Sequence, residues 1–335
     1  MPMFSSGGPA AVHRLIQWGF LLFMAAVGVQ FLLFALWALG ASDTFVSRPP
    51  SVEAFLPVSA LLAFKRLLFT GVYDAIHPAG LTIMLMAFVT ALVARKGFCG
   101  YLCPVGTLSF LLFRLGRRLG LTVSRPPWLA FLLTLPKYFL LLFFVDILLL
   151  NMGIDDIEVF LRSRYNMVAD TKMLLFFLPP DRLTAGILLF LLGGSLFIPS
   201  FWCRCFCPYG ALLGLLSICS PLAVTRNHES CTQCGKCSGA CPAGIAVQNR
   251  RRVSGPECTG CMECVNACPH RDCLSLRAGY AAARGTCLPW WSVAALTLFA
   301  VAALYLWAVT SGHWETSLPR EMWRALHENI HALRH

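Results

Sequence analysis

The stretch Cys231-Thr-Gln-Cys234-Gly-Lys-Cys237-Ser-Gly-Ala-Cys241-Pro242 returns, after a short basic connection, as Cys258-Thr-Gly-Cys261-Met-Glu-Cys264-Val-Asn-Ala-Cys268-Pro269. Each copy is a complete CxxCxxCxxxCP run. Two-residue gaps wrap a tight loop around one face of an iron–sulfur cube and leave backbone N–H groups free to hydrogen-bond its sulfurs, and the proline then redirects the chain. In two-cluster segments of this kind the fourth cysteine of each run ligates the other cluster. The expected ligand sets for two [4Fe-4S] clusters are therefore Cys231, Cys234, Cys237 and Cys268 for the first, and Cys258, Cys261, Cys264 and Cys241 for the second. Paired CxxC motifs also hold structural zinc, but the terminal Cys-Pro on both copies speaks against it. With every iron held by the protein, such a segment passes electrons and offers no open coordination site.

Working outward, 57% of the 335 residues are apolar, 13% are charged and the mean hydropathy is +0.68. Soluble domains carry about 25% charged residues, so the composition is that of a membrane protein. Apolar runs approaching the roughly 20 residues that cross a bilayer's hydrocarbon lie at 15–39, 80–94 with its flanks, 128–150, 183–199 and 289–309, and predict about five spans. The first is too long for a signal-peptide core and lacks a small-residue cleavage site, so it reads as a retained span. Segments 55–73 and 157–178 are apolar but broken by charges, and read as interfacial or re-entrant helices.

The sequence has 27 Lys and Arg against 16 Asp and Glu, a formal charge of +11. These cations adjoin apolar spans and have no interleaved aromatic code, which excludes a nucleic-acid partner in favour of membrane orientation. If the N-terminus, 95–127 and 200–288 share one side, that side holds 16 Lys/Arg against Glu229, Glu257, Glu263 and Asp272. The positive-inside rule makes it cytoplasmic and the tail after the last span extracytoplasmic, in a multi-pass protein of a bacterial inner membrane; a four-span topology, the alternative, would bring that tail back inside, but the uncharged run 290–309 favours five. The expected fold is an α-helical membrane domain with a small α+β dicluster ferredoxin-type domain. Its parts are a first membrane repeat over 1–127, a second over 128–224, the dicluster domain over 225–287, and a fifth span with its tail over 288–335.

The repeat is visible where Phe98-Cys-Gly-Tyr-Leu-Cys-Pro-Val-Gly-Thr-Leu108 aligns with Trp202-Cys-Arg-Cys-Phe-Cys-Pro-Tyr-Gly-Ala-Leu212, each closed by a similar phrase, Leu121-Thr-Val-Ser-Arg125 and Leu222-Ala-Val-Thr-Arg226. An even number of spans per repeat makes the copies parallel, so Cys99 and Cys103 should meet Cys203 and Cys207 near one membrane face. Four thiolates suit a further iron or iron–sulfur centre. A redox-active dithiol and buried structural cysteines are the competing readings. Cys219, Cys273 and Cys287 have no motif partner and read as structural.

Spans followed twice by CxxxCP and then by two ferredoxin runs, over roughly residues 10–275, resemble the membrane quinol dehydrogenase subunits of the NapH type and the membrane portion of the regulator NosR. The resemblance implies quinol oxidation or quinone reduction coupled to cluster redox and to an extracytoplasmic respiratory partner. The chain departs from that pattern in its fifth span and tail, in the additional Cys205, and in lacking an N-terminal flavin-binding domain.

Ionisable residues in or beside spans are costly and mark candidate sites. They are Lys65, Asp74 and His77 before the second run, and Lys137 and Asp146 within the third. A quinone needs an apolar slot with a carbonyl donor and a proton acceptor, which His77 and Asp74 could supply. A loop cap at His77, and a Lys137 that satisfies carbonyls freed beside Pro136, are the plainer alternatives. His327, His331 and His335 share a helical face beside Trp314 and Trp323; a solvated amphipathic helix, able to dock an extracytoplasmic multihaem cytochrome c, is the expectation. The expected function is electron transfer between the quinone pool and subunits of a respiratory complex. A metal-reducing assembly factor for an oxidase and a relay or anchor that binds no quinone are the alternatives.

Overall fold

The computed structural model describes residues 8–121, 127–270, 272–280, 285–328 and 330. Leu121 is the only described part of the first closing phrase, and His331 and His335 lie outside the described residues. The described chain is mostly helical with one four-stranded sheet. It divides into two compact units. The first is Met1–Leu22, Ala87–Leu141 and Phe190–Val301; the second is Phe23–Met86, Leu142–Leu189 and Ala302–His335.

Prolines set many of the helix starts. Pro57, Pro78, Pro104 and Pro208 open the helices Pro57–Thr70, Pro78–Ala94, Pro104–Arg118 and Pro208–Ile218, where the missing N–H costs nothing and the fixed φ suits the first turn. Among the described residues, two helices are long and apolar enough to cross a membrane, Pro9–Ala38 and Ser292–Thr310. Four would be counted if each of two bent pairs were one span: Leu135–Asn151 with Ile154–Leu161, bent by 104°, and Ala169–Phe177 with Arg182–Phe197, bent by 79°. Five were expected. The difference lies in backbone breaks that a hydropathy reading cannot see. The third run is interrupted between helices Pro127–Leu132 and Leu135–Phe144 and widens into a π-helix at Val145–Asn151, while Pro78–Ala94 has only 17 residues.

In the first unit, strands β1 (Leu222–Arg226), β2 (Arg252–Val253), β3 (Leu274–Ala278) and β4 (Thr286–Leu288) form an antiparallel sheet in the order β2-β1-β3-β4. Val224 of β1 lies opposite both Val253 and Leu276. The period of two puts Leu222, Val224, Leu274 and Leu276 on one buried face, which packs on Ala94, Tyr101, Leu102, Val293 and Ala294. Burying each such aliphatic side chain contributes about 1.5–3 kcal/mol, enough to seat the sheet firmly on the helical part of this unit. The second unit has its own core, in which Phe31, Phe34, Trp37 and Val52 close around Trp323.

Candidate metal centres

The two cysteine runs have the same backbone signature. Gln233 (φ 54) and Gly235 (φ 74) in the first correspond to Gly260 (φ 68) and Met262 (φ 59) in the second. Left-handed residues on either side of the second cysteine turn successive N–H groups toward one point, the concave arrangement that binds anionic clusters. Each run then enters a short helix, Lys236–Ala240 or Glu263–Asn266, that carries its third cysteine.

Cys231, Cys234, Cys237 and Cys268 line one solvent-facing cavity together with Arg226, Gln248, His270 and Cys273. Three of these thiols come from the first run and one from the second. The Arg226 guanidinium beside Cys231, helped by the Gln233 N–H, holds that thiol below its ordinary value. Cys273, read from the sequence as structural, is buried in this cavity wall, where burial and the adjacent Cys268 and Cys231 push its thiol up to about 12. Its place is fixed by chain geometry just ahead of β3, where its carbonyl accepts from the Asn227 N–H at 2.8 Å. Cys219 and Cys287 are exposed.

Cys241, Cys258, Cys261 and Cys264 form the other group. Burial raises the thiols of Cys241, to about 11, of Cys261 and of Cys264, and each is raised further by neighbours within the same four. Cys264 also feels Cys237, so the two groups adjoin. The loop carrying Cys258 and Cys261 is fastened to the helical segments of the unit from several directions. Arg95 donates to the carbonyls of Ser217 and Gly255, Tyr101 donates to the Gly260 carbonyl at 3.1 Å, and Lys137 pairs with Glu257. Gly100 lies so close that a Cβ there would stand 2.8 Å from the Thr259 carbonyl oxygen. His13 and Gln17 reach the Gly100 carbonyl, both at 2.9 Å, and His13 also meets Glu263 at 3.3 Å.

The two CxxxCP motifs share local geometry as well. Cys103 and Cys207 are N-caps with proline at the first helical position, and Cys207 Sγ accepts from the Gly210 N–H at 3.2 Å. All four thiols lie within electrostatic reach. Burial pushes Cys99 up to about 12, with Cys103 and Cys207 adding to it against Lys96, and raises Cys203 further, with Cys103, Cys207 and Cys99 adding. As bare thiols the four therefore stay protonated; a cationic centre would reverse that. Cys205 is buried.

In the second unit, His77 and Asp74 do meet, inside an ion cluster that sequence reasoning reached only in part. Arg48 pairs with Glu53 at 2.7 Å and Asp170 at 2.6 Å. His77 Nε2 meets the Asn166 carbonyl at 2.7 Å, so Nε2 carries a proton and Nδ1 faces both Glu53 at 3.3 Å and Arg48 at 3.4 Å. Burial opposes charging of this imidazole, yet the Glu53 carboxylate outweighs it and raises the pKa. Asp74 accepts from the Ile76 and His77 N–H groups and faces Arg66; burial raises its pKa. Lys65 donates to the carbonyls of Leu149 and Met152 at the end of the π-helix. Asp146 is exposed and bonded by Asn151. Lys137 belongs to the first unit, its ammonium on Glu257 and not on carbonyls freed by Pro136. The expected solvated tail is also corrected: Trp323 and His327 are 5% and 3% exposed, His327 meets Thr171 at 2.9 Å, and Arg164 holds the carbonyls of Ala325, Leu326 and Glu328.

A family model described as a 4Fe-4S binding domain matches residues 76–122 and again 183–222, the two segments that carry the CxxxCP motifs, and one described as a 4Fe-4S dicluster domain matches residues 223–269. YccM of Escherichia coli (strain K12), described as a putative electron transport protein, is 41% identical over 289 residues, which is 85% of this chain and 81% of that protein. The chain belongs to the NapH/NosR-type family of membrane 4Fe-4S electron-transport proteins. Protein NirI of Paracoccus denitrificans (strain Pd 1222) is 32% identical over 45% of this chain and 21% of its own length, and an uncharacterized protein of Methanocaldococcus jannaschii is 26% identical over 50% and 67%. No solved structure matches the chain.

The residues present fit the iron–sulfur groups that this family implies. Arg226 Nη1 and Gln248 Oε1 are buried in the wall of the first cavity without hydrogen-bond partners, which suits an anionic guest once the Gln248 amide is turned to present its NH2. Among the described residues no three His, Cys, Asp or Glu side chains converge tightly enough for one metal ion. A cubane takes one thiolate at each of four irons, so its ligands stand apart around a cage.

Proposed function

We propose that this membrane electron-transport protein works between the quinone pool and a respiratory redox partner, with its cysteine-rich side cytoplasmic. Cys231, Cys234, Cys237 and Cys268 would hold one [4Fe-4S] cluster, Cys258, Cys261, Cys264 and Cys241 the other, and Cys99, Cys103, Cys203 and Cys207 a third iron–sulfur centre. When bound, such clusters supply reversible one-electron storage at potentials set by hydrogen bonds and exposure.

The observation that carries this reading is the fastening of the second cysteine loop. Arg95 and Tyr101 tie residues 255–260 to the segments that bear the CxxxCP motifs, and Lys137 ties them to the helix Leu135–Phe144; Lys137 is also among the charges acting on Cys99 and Cys207. The match of a 4Fe-4S binding model to both CxxxCP segments supports the third centre. The protein's own groups do the rest: left-handed residues aim N–H groups at the cysteine sulfurs, prolines turn the chain away, and fixed cations favour the thiolate form. The quinone part rests on the family resemblance. Of the ionisable candidates, His77, whose Nδ1 faces the Glu53 carboxylate at 3.3 Å, is the group assigned to proton uptake and release; Lys65, Lys137 and Asp146 serve helix ends and segment contacts.

The test uses full-length protein purified anaerobically. A menaquinol or ubiquinol analogue should reduce the iron–sulfur chromophores, and iron and acid-labile sulfide should exceed those of two cubanes, falling to that level in Cys99→Ala and Cys203→Ala. Chromophores reducible by dithionite but not by either quinol would overturn the quinone assignment. Iron equal to two cubanes in wild type, unchanged in both variants, would overturn the third centre.

A further inference from the structure

The two ferredoxin-type thiol sets differ in access. Cys261 is buried and the loop that bears it is fastened down, and the acidic residues beside and within this second run are engaged, Glu257 by Lys137 and Glu263 by His13. The first set opens outward. Cys234 is exposed, and so are Thr232, Gln233 and His270 around it.

Cations gather at that opening. Arg226 lines the cavity with Nη1 unpartnered; its backbone N–H donates to the Arg251 carbonyl at 2.8 Å and its Nε to the Arg250 carbonyl at 3.3 Å, which brings the exposed Arg250 and Arg251 beside it. Lys236, between Cys234 and Cys237, is exposed, and exposed Arg117 donates to the Gly239 carbonyl at 3.1 Å at the end of the helix Lys236–Ala240. The exposed acids nearby are Glu229 and Asp272. Cations outnumber them, and Arg226 already spends part of its charge on Cys231.

From this arrangement we infer that the rim formed by Arg226, Lys236, Arg250 and Arg251 is a docking surface for an acidic one-electron carrier protein, which places its redox group over Cys234. The inference rests on the reading that the first set holds a cluster. An anionic bilayer would satisfy the same charges, but surface-bound segments also insert apolar side chains. Between residues 223 and 278 no large apolar side chain is exposed among the described residues. A polar, cationic, wholly hydrophilic rim around a solvent-facing thiol set suits the small, short-lived contacts of redox encounters, which charge steers and salt weakens.

The test measures binding, not turnover. Full-length protein in nanodiscs of neutral lipid is titrated with an acidic flavodoxin and an acidic plant-type ferredoxin, with cytochrome c as the basic control and phosphatidylglycerol vesicles as the lipid alternative. At least one acidic carrier should bind, with an affinity that falls at least tenfold between low and physiological salt, and at least tenfold again in the double variant Arg250→Glu/Arg251→Glu. Iron and labile sulfide should be unchanged in that variant, which separates a docking failure from a failure of the cluster assignment. Arg250→Gln/Arg251→Gln serves if charge reversal disturbs folding. Equal carrier binding by wild type and variants, binding by vesicles but by neither carrier, or no acidic carrier binding to fully loaded protein would each overturn the proposal.

Discussion

Replacing Lys137 by Met removes the cation from Glu257 while keeping an unbranched apolar stem. The Lys137 side chain is 1% exposed and that of Glu257 19%, so a carboxylate left behind must protonate or draw in water. Losing one partner of a buried ion pair costs about 3–5 kcal/mol. The part-exposed Glu257 and the surviving Tyr138 hydroxyl, 3.4 Å away, bring the expected loss to the lower end, about 3 kcal/mol. Glu257 immediately precedes Cys258, so the destabilised element is the second cysteine loop itself. The assay is denaturant-driven loss of iron–sulfur absorbance in wild type, Lys137→Met, Glu257→Gln and the double variant, analysed as a thermodynamic cycle. Lys137→Met should shed chromophore at clearly lower denaturant, and the double variant should recover most of the loss, because a buried pair removed together is nearly neutral. A single variant within about 0.5 kcal/mol of wild type, with coupling below that limit, would refute the claim that this pair fastens the loop.

Cys268→Ala should remove half of the ferredoxin-type iron, and the surviving centre should be the one held by Cys258, Cys261, Cys264 and Cys241; survival of the other would sink the crossed assignment. Cys273→Ala should lower the midpoint potential of the first centre, because hydrogen bonds to cluster sulfurs set potential and one neutral bond of about 1 kcal/mol corresponds to roughly 40 mV for one electron; a redox titration followed by EPR that finds no shift would assign Cys273 to packing alone. In the second unit the raised pKa of His77 means that its protonated form favours the fold. That contribution is complete below the unfolded pKa of about 6.5 and is lost as pH rises through the higher folded value. Stability against pH should fall across that window in wild type and stay flat there in His77→Gln; equal slopes would exclude His77 as the titrating group.

The eight ferredoxin-type cysteines stand out in the sequence because their spacing alone suggests the loop, and Cys231, Cys234, Cys237 and Cys268 line one cavity; the ligand sets themselves are a proposal. The CxxxCP cysteines could be paired from the repeat. The partners of the buried charges could not. Arg48, Glu53 and Asn166 reach His77, and Asp170 joins them through Arg48, from two stretches of chain remote from it, and nothing local marks Glu257 as the counter-ion of a lysine 120 residues earlier. Periodicity misled at His327, where a spacing of four reads equally well as a wet face or a dry one; the presence of Trp323 on the same turn, against Phe34, decides for the dry one. The place of Cys273 beside Cys231 and Cys268 could not be read, because its neighbours come from folding, not from sequence.

The left-handed positions of the two cysteine loops carry one more consequence. Each loop keeps glycine at only one of its two such positions, and not at the same one: Gly235 in the first, Gly260 in the second, opposite Met262 and Gln233. A side chain in that conformation costs roughly 1–2 kcal/mol, so each loop carries one such cost, which the interactions of the folded, loaded loop must offset. A grafted loop with glycine at both positions would avoid the side-chain cost but would have more backbone freedom to lose on loading, whereas one with glycine at neither would carry the cost twice. The two halves of this segment are therefore not interchangeable parts, although their cysteines are spaced alike.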